Sequence, residues 1–129
     1  MTTYLLDANV LIALTVAEHE HHDRAAAWAS TVEHFAVCPV VEGALVRFLV
    51  RVGESASAAT QVLRAVHAVP ACEFWPDELS YVDADLQHVR GHRQVTDAYL
   101  VSLAESRGGV LATLDEGLRQ QRPHHVVLV

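Results

Sequence analysis

Val95-Thr96-Asp97-Ala98-Tyr99-Leu100 and Ala112-Thr113-Leu114-Asp115 each set an acid where an apolar segment meets the start of a helix, and Leu5-Leu6-Asp7 does the same near the head of the chain. Thr3 to Leu6 has the composition of a short buried strand that Asp7 closes. Ala8 to Ala17 is apolar at helical spacing, so Asp7-Ala8-Asn9 falls in a strand-to-helix turn. Val110 to Thr113 is another such strand, followed by a short helix from Asp115 to Gln121. A chain that alternates strand and helix builds a parallel sheet covered on both faces. Ligands of such sheets bind beyond the carboxyl ends of the strands. Acids remote in sequence are therefore expected to meet in one cleft.

The remaining chain fits the same plan. Glu18 to Asp23 is a polar loop, followed by an alanine-rich helix through Trp28 to near Val32, and Phe35 to Cys38 is a second strand. Pro39 and Gly53 bracket a nearly continuous apolar run, Val40 to Val52, whose length favours a helix. Ser55 opens an amphipathic helix to near Val69, Ala71 to Trp75 reads as a strand, and Pro76-Asp77-Glu78 predicts a helix to near Arg90. Gly91 to Val95 is a loop or very short strand, Thr96 a candidate N-cap for a helix to Arg107, and Gly108-Gly109 its terminator. Val126 to Val129 is a final strand. The expectation is one α/β domain over residues 1–129, with a central, mainly parallel sheet of four to five strands.

The apolar fraction of 51% excludes a disordered chain, and no apolar run is long enough to span a membrane. With no basic, apolar leader at the N-terminus, the expected location is the cytoplasm. Cys38 and Cys72 lack metal-ligand spacing and fit a reducing compartment. The nine basic residues are all arginine, which removes the P-loop and Schiff-base chemistries that need lysine. A net charge of −7 argues only weakly against a nucleic-acid partner, because acids gathered around bound cations present positive charge to a ligand.

Each acid has an ordinary explanation when taken alone. Asp7 and Asp115 are placed to cap helices, and Asp97 to favour a helix dipole. Glu42 lies about 140° around its helix from Arg47, on a stripe with Leu45, Val46 and Leu49, so it needs a cation or a donor to be buried. An arginine elsewhere in the fold is one such partner. As a set the acids mean more. Clustered carboxylates repel one another unless a cation joins them, and an oxygen-rich site without cysteine suits Mg²⁺ or Mn²⁺. Such an ion makes a bound water nucleophilic toward a phosphodiester.

Leu6-Asp7-Ala8-Asn9-Val10-Leu11-Ile12, Cys38-Pro39-Val40-Val41-Glu42 through Arg47, Val95 to Leu100 and Ala112 to Asp115 resemble, in order and spacing, the four acidic motifs of PIN-domain ribonucleases, in particular the VapC-type toxins of bacterial toxin–antitoxin pairs. The resemblance spans nearly the whole chain. It implies a three-layer α/β/α sandwich. Asp7, Glu42, Asp97 and Asp115 would be the catalytic, metal-holding acids, supported by Asn9 and Thr113. It further implies an Mg²⁺- or Mn²⁺-dependent endoribonuclease acting on RNA and a homodimer. A cognate VapB-type antitoxin would fill the groove and carry the complex to promoter DNA. Relatives often have an aromatic residue shortly after the last acid, where this chain has Glu116-Gly117-Leu118, so Glu116 stands beside Asp115 as a candidate fourth ligand.

Arg47 and Arg51, four apart on one stripe, and His92 and Arg93, just before the Asp97 helix, are candidate RNA contacts; for the arginines, pairing with acids is the other reading. His19, His21, His22 and Asp23 resemble a transition-metal cluster, but adjacent histidines in a polar loop are ordinarily solvated. Asp83 and Asp85 are read as solvated, and the tryptophans and tyrosines as core or interface. An aspartate-based phosphotransfer enzyme would need a lysine and a second acid where Asn9 stands. The alternative outside enzymology is a catalytically silent PIN-like module that binds RNA or a partner.

Overall fold

The five strands are only three or four residues long, and each is supported by a helix packed against it or by a paired neighbour. The computed structural model describes all 129 residues. β1 (Tyr4–Leu6) leads into α1 (Ala8–Thr15) and α2 (His22–Ala29), and β2 (Phe35–Val37) into α3 (Pro39–Arg51) and α4 (Ala56–His67). β3 (Cys72–Phe74) is followed by an irregular segment, a 3₁₀ turn over His92–Gln94, and α5 (Val95–Ser106). β4 (Val110–Thr113), α6 (Glu116–Gln121) and β5 (Val126–Leu128) follow.

The sheet order is β3-β2-β1-β4-β5, with every neighbouring pair parallel. Leu5 stands opposite Ala36 on one side and Leu111 on the other. From β1 the chain steps outward through β2 to β3, then crosses back to β4 and outward to β5. Right-handed crossovers put the helices of the first half on one face and α5 and α6 on the other. This is the expected three-layer α/β sandwich. The direction reverses between β1 and β4, the place where sheets of this kind leave a crevice at their carboxyl edge.

Leu5, Leu6, Val37 and Leu111 fill the sheet's part of the core. Val10, Leu11, Val41 and Leu45 cover one face, and Leu100, Val101, Leu103 and Ala104 cover the other, all essentially inaccessible to water. Helix starts follow local chemistry. Ser55 Oγ accepts from the Ala58 N–H at 3.0 Å, and Pro39 sits in the first turn of α3. Gly108 ends α5 at φ +70, with the Gly109 N–H donating back to the Ala104 carbonyl at 2.8 Å.

The predicted helix from Pro76 to Arg90 does not form; the segment is a series of turns. Ser80 Oγ accepts from the Val82 N–H and Asp85 Oδ1 from the Gln87 N–H, local bonds that compete with a helical ladder. The Asp85 N–H donates to Ser102 Oγ on α5 instead. Thr96 is not the cap of α5: the preceding 3₁₀ turn runs straight into the helix at Val95, with Gln94 before it. α1 and α2 stop at Thr15 and Ala29, two and three residues short of expectation.

Candidate functional site

Asp7 and Asp115 occupy the crevice between β1 and β4 because Asp7 follows directly on β1 and Asp115 stands two residues past the end of β4. Asp7 caps α1, accepting the Val10 N–H at 3.0 Å on Oδ1, while its Oδ2 accepts a short hydrogen bond from the Thr113 hydroxyl. Thr113 is fully buried at the end of β4, and its Oγ1 in turn accepts the Asp115 N–H at 3.0 Å. Asp115 caps α6 through the Leu118 N–H at 3.1 Å. One hydroxyl thus ties the two strand-end acids together. The capping roles are real, and they are compatible with a shared site.

Asp97 reaches the same place from the first turn of α5. Burial pushes its carboxyl up to about 6, and the Asp7 and Asp115 carboxylates push in the same direction. Asp7, only 5% exposed, is also raised by burial, against the lowering effect of its Thr113, Val10 and Asn9 bonds; Asp115 adds a smaller upward push. Three acids from three parts of the chain therefore act on one another here. They converge without closing into a chelating set. Their donor atoms are carboxylate oxygens beside a hydroxyl, with no thiol among them, and that chemistry fits a hard divalent ion whose charge would relieve the repulsion. Glu116 is exposed in the first turn of α6; the charge felt by Asp7 and Asp97 is that of Asp115.

Glu42 is held apart from the other three. Its side chain is 16% exposed, and His67 Nε2 at the end of α4 donates to its Oε2 at 2.5 Å, with the His67 ring packed on Phe74. The partner its burial demanded is thus a histidine and not an arginine. Nothing in the sequence marked His67, since only the packing of α4 against α3 brings it to Glu42.

Asn9, exposed after β1, borders an open groove with His19, Arg47 and Arg51. Neither arginine pairs with an acid, though Arg51 lies 5.9 Å from the centre of the Phe48 ring. His92 and Arg93 are exposed in the 3₁₀ turn before α5. Asp97 and Asp115 themselves line a cleft of about 240 Å³ whose wall includes His88, Gln94, Gln121 and Arg122. Sequence reading missed these four, because two lie in the segment expected to be helix and loop and two at the end of the short α6. Arg122 is 6% exposed and paired with Glu105 at 3.1 Å.

The histidine-rich loop is structural. His22 Nδ1 is 2.8 Å from the Ala13 carbonyl, and His19 Nδ1 accepts the His21 N–H at 3.0 Å. Asp85 is not simply solvated, since it makes the turn described above and lies 3.9 Å from Arg122. Cys38 and Cys72 are free thiols, each pushed by burial up to about 11.

Residues 4–122 match the PIN domain family. Ribonuclease VapC29 of Mycobacterium tuberculosis strain H37Rv is 56% identical over 128 residues, which cover 98% of this chain and 96% of that protein. Ribonuclease VapC38 of the same strain is 42% identical over 129 residues, 92% of each chain. Among solved structures, a chain of VapBC2 from Rickettsia felis, bound to a DNA fragment from their promoter, superposes with a TM-score of 0.66 at 13% identity, over 99% of this chain and 98% of that one.

Proposed function

The chain belongs to the PIN-domain family, and from that membership we propose that it is the toxin of a type II toxin–antitoxin pair, a metal-dependent endoribonuclease that hydrolyses RNA phosphodiester bonds. The observation that carries the reading is the convergence of Asp7, Asp97 and Asp115, from three separate segments, on the crevice between β1 and β4. The naming of VapC29, at 56% identity, as a ribonuclease supports the same reaction.

Asp7, Asp97 and Asp115 are the residues that would hold Mg²⁺ or Mn²⁺, which when bound supplies an acidified water and charge stabilisation for in-line attack at phosphorus. Thr113 fixes the Asp7 carboxylate and the Asp115 backbone at once, so the site is oriented before a ligand arrives. Asn9 is proposed to support the site from the first turn of α1. Glu42 is proposed as the fourth acid, and its contact with His67 must give way for it to join the others. A carboxylate of this set would accept the proton released by the attacking water. Arg47 and Arg51, unpaired along the groove beside Asn9, are proposed to grip backbone phosphates, with His92 and Arg93 at the head of α5.

A VapB-type antitoxin is the proposed partner and inhibitor. A second, apolar groove of about 650 Å³, walled by Leu11, Leu14, Ala26, Ala29, Val62 and Val66, supports a protein partner, because an amphipathic helix buries its apolar stripe on such a surface. Homodimerisation and promoter binding through the antitoxin are proposed with it. No helix is long and apolar enough to cross a membrane, and the cytoplasm is the proposed site of action.

The test is cleavage of total cellular RNA by the antitoxin-free protein with Mg²⁺, Mn²⁺ or EDTA, beside Asp97→Asn prepared identically. Discrete fragments that require metal and vanish in the variant are expected. Equal cleavage by both proteins would mean a contaminating nuclease. No cleavage by either would favour the silent binding module.

A further inference from the structure

The cleft beside Asp97 and Asp115 carries hydrogen-bonding groups that holding a metal does not use. Its volume of about 240 Å³ is smaller than the roughly 300 Å³ at which pockets for drug-sized ligands begin. That suits one flat heterocycle. Gln94 Oε1 accepts the Arg90 N–H at 2.5 Å, which fixes the amide and leaves its NH₂ without a protein partner. Gln121 is fixed the opposite way: Nε2 donates to the His88 carbonyl at 3.2 Å, leaving Oε1 free to accept. Arg122 engages Glu105 through Nη2, and its other guanidinium N–H groups have no protein acceptor. With Asp97 and Asp115 reserved for the metal and the His88 ring able to fill either role, the fixed groups of the wall are two donor groups, the Gln94 amide NH₂ and the free guanidinium N–H of Arg122, and one acceptor, Gln121 Oε1.

We propose that this cleft is a nucleobase pocket that selects a pyrimidine next to the scissile phosphate, through Gln94, Gln121 and Arg122. The proposal rests on the ribonuclease reading above and names the specificity of that site. Two fixed donor groups and one fixed acceptor complement an edge with two acceptors and one donor. Uracil presents two carbonyls and a ring N–H, and cytosine a carbonyl, a bare ring nitrogen and an amino group. The Watson–Crick edge of guanine has the reverse count, and that of adenine lacks the second acceptor. Specific recognition of RNA usually proceeds this way, with an unstacked base read on its edge. The same acids that would hold the metal line the pocket, so a base seated there lies beside the reacting phosphate.

Two measurements test it. The first is cleavage of an RNA library randomised around the cut, by the metal-loaded protein and by two variants that keep the structural bonds. Gln121→Lys retains a donor for the His88 carbonyl and removes the acceptor; Gln94→Glu retains the acceptor for Arg90 and removes the donor. The wild-type protein should enrich pyrimidine at one flanking position by about tenfold, the discrimination expected when an unmatched base leaves a polar group unpaired. Each variant should lose most of that enrichment and leave other positions unchanged. The second is equilibrium dialysis of uridine, cytidine, adenosine and guanosine against the protein in EDTA, which needs no catalysis. Uniform cleavage at every flanking position, or enrichment that both variants keep, overturns the pocket while leaving the nuclease reading in place. If no RNA is cut, the dialysis decides: pyrimidine-selective retention weakened in both variants supports the pocket and shifts the failure to the nuclease reading, and equal retention of all four nucleosides overturns the pocket.

Discussion

Asp97→Asn is expected to stabilise the metal-free protein at neutral pH even as it abolishes cleavage. The Asp97 carboxyl rises from its ordinary 3.8 to about 6, first through burial and then through the Asp7 and Asp115 charges. At about 1.36 kcal/mol per pH unit, that difference bounds the destabilisation from the charged form at about 3 kcal/mol. Partial exposure screens the interaction, so about 1–2 kcal/mol is the expected size. The sign follows from proton binding. Between 3.8 and about 6 the folded protein holds a proton that the unfolded chain has released, so this contribution favours the fold at low pH and is lost as pH rises through that window. Asparagine carries no charge at any pH and escapes the loss. At about 3–5 °C per kcal/mol for a domain of this size, the variant should melt about 3–10 °C above the wild type at pH 7.5 in EDTA. The gap should close at pH 4. Added Mn²⁺ should raise the melting temperature of the wild type more than that of the variant, reversing part of the difference. Differential scanning calorimetry across pH 4–8 measures all of this. A variant that melts below the wild type at pH 7.5 in EDTA, or a gap independent of pH, would refute the assignment of Asp97 to a cluster of mutually repelling acids.

Thr113→Val removes the hydroxyl that serves Asp7 and the Asp115 N–H; urea unfolding should show a loss of about 1–3 kcal/mol, and an unchanged midpoint would mean that the hydroxyl organises nothing. His67→Ala frees Glu42 from its hydrogen bond, so metal-dependent cleavage should rise, by about tenfold and at most about 150-fold if the full strength of a charged hydrogen bond competes with the active arrangement. A fall in rate would show that His67 orients Glu42 productively. Gly109→Ala would bring a Cβ to 2.6 Å from the Thr3 carbonyl and 2.8 Å from the Trp75 ring. Backbone cannot yield as a side-chain end does, so a loss of about 1–3 kcal/mol is expected, with altered Trp75 fluorescence as the local reporter.

The parts of the fold that could be read from sequence were those decided locally. Asp7 and Asp115 end strands and cap helices, two roles set by a few consecutive residues, and both were visible in the apolar-to-acid transitions. Pro39 and Ser55 marked helix starts for the same reason. The error over residues 76–90 had a physical cause of another kind. Pro76, Asp77 and Glu78 make a good first turn, but Ser80 and Asp85 bond to backbone N–H groups two residues on, and the Asp85 N–H is taken by Ser102. That last bond spans 17 residues and has no signature in the segment itself. His67 and Arg122 were missed likewise, because their importance lies in which distant element they meet. Glu42 falls between: its need for a partner was evident from its apolar stripe, and the identity of the partner was not.

A protein of net charge −7 is an unpromising RNA binder only while its charges are counted and not located. The acids that matter here are turned on one another, where a bound cation would neutralise or invert their local field. Others are used up internally, Glu78 on Arg107 and Glu105 on Arg122 and His125. Arg47, Arg51, Arg64, Arg93 and Arg119 remain exposed and free of acidic partners. Arg47 and Arg51 border the groove that Asn9, two residues after Asp7, also lines. Segregation of charge, more than its sum, is therefore what would admit a polyanion under the proposed function. It also explains why an isolated acidic cluster would be tolerated at all: the burial that destabilises Asp7 and Asp97 without metal is the same burial that would make a cation bound there hard to displace by water.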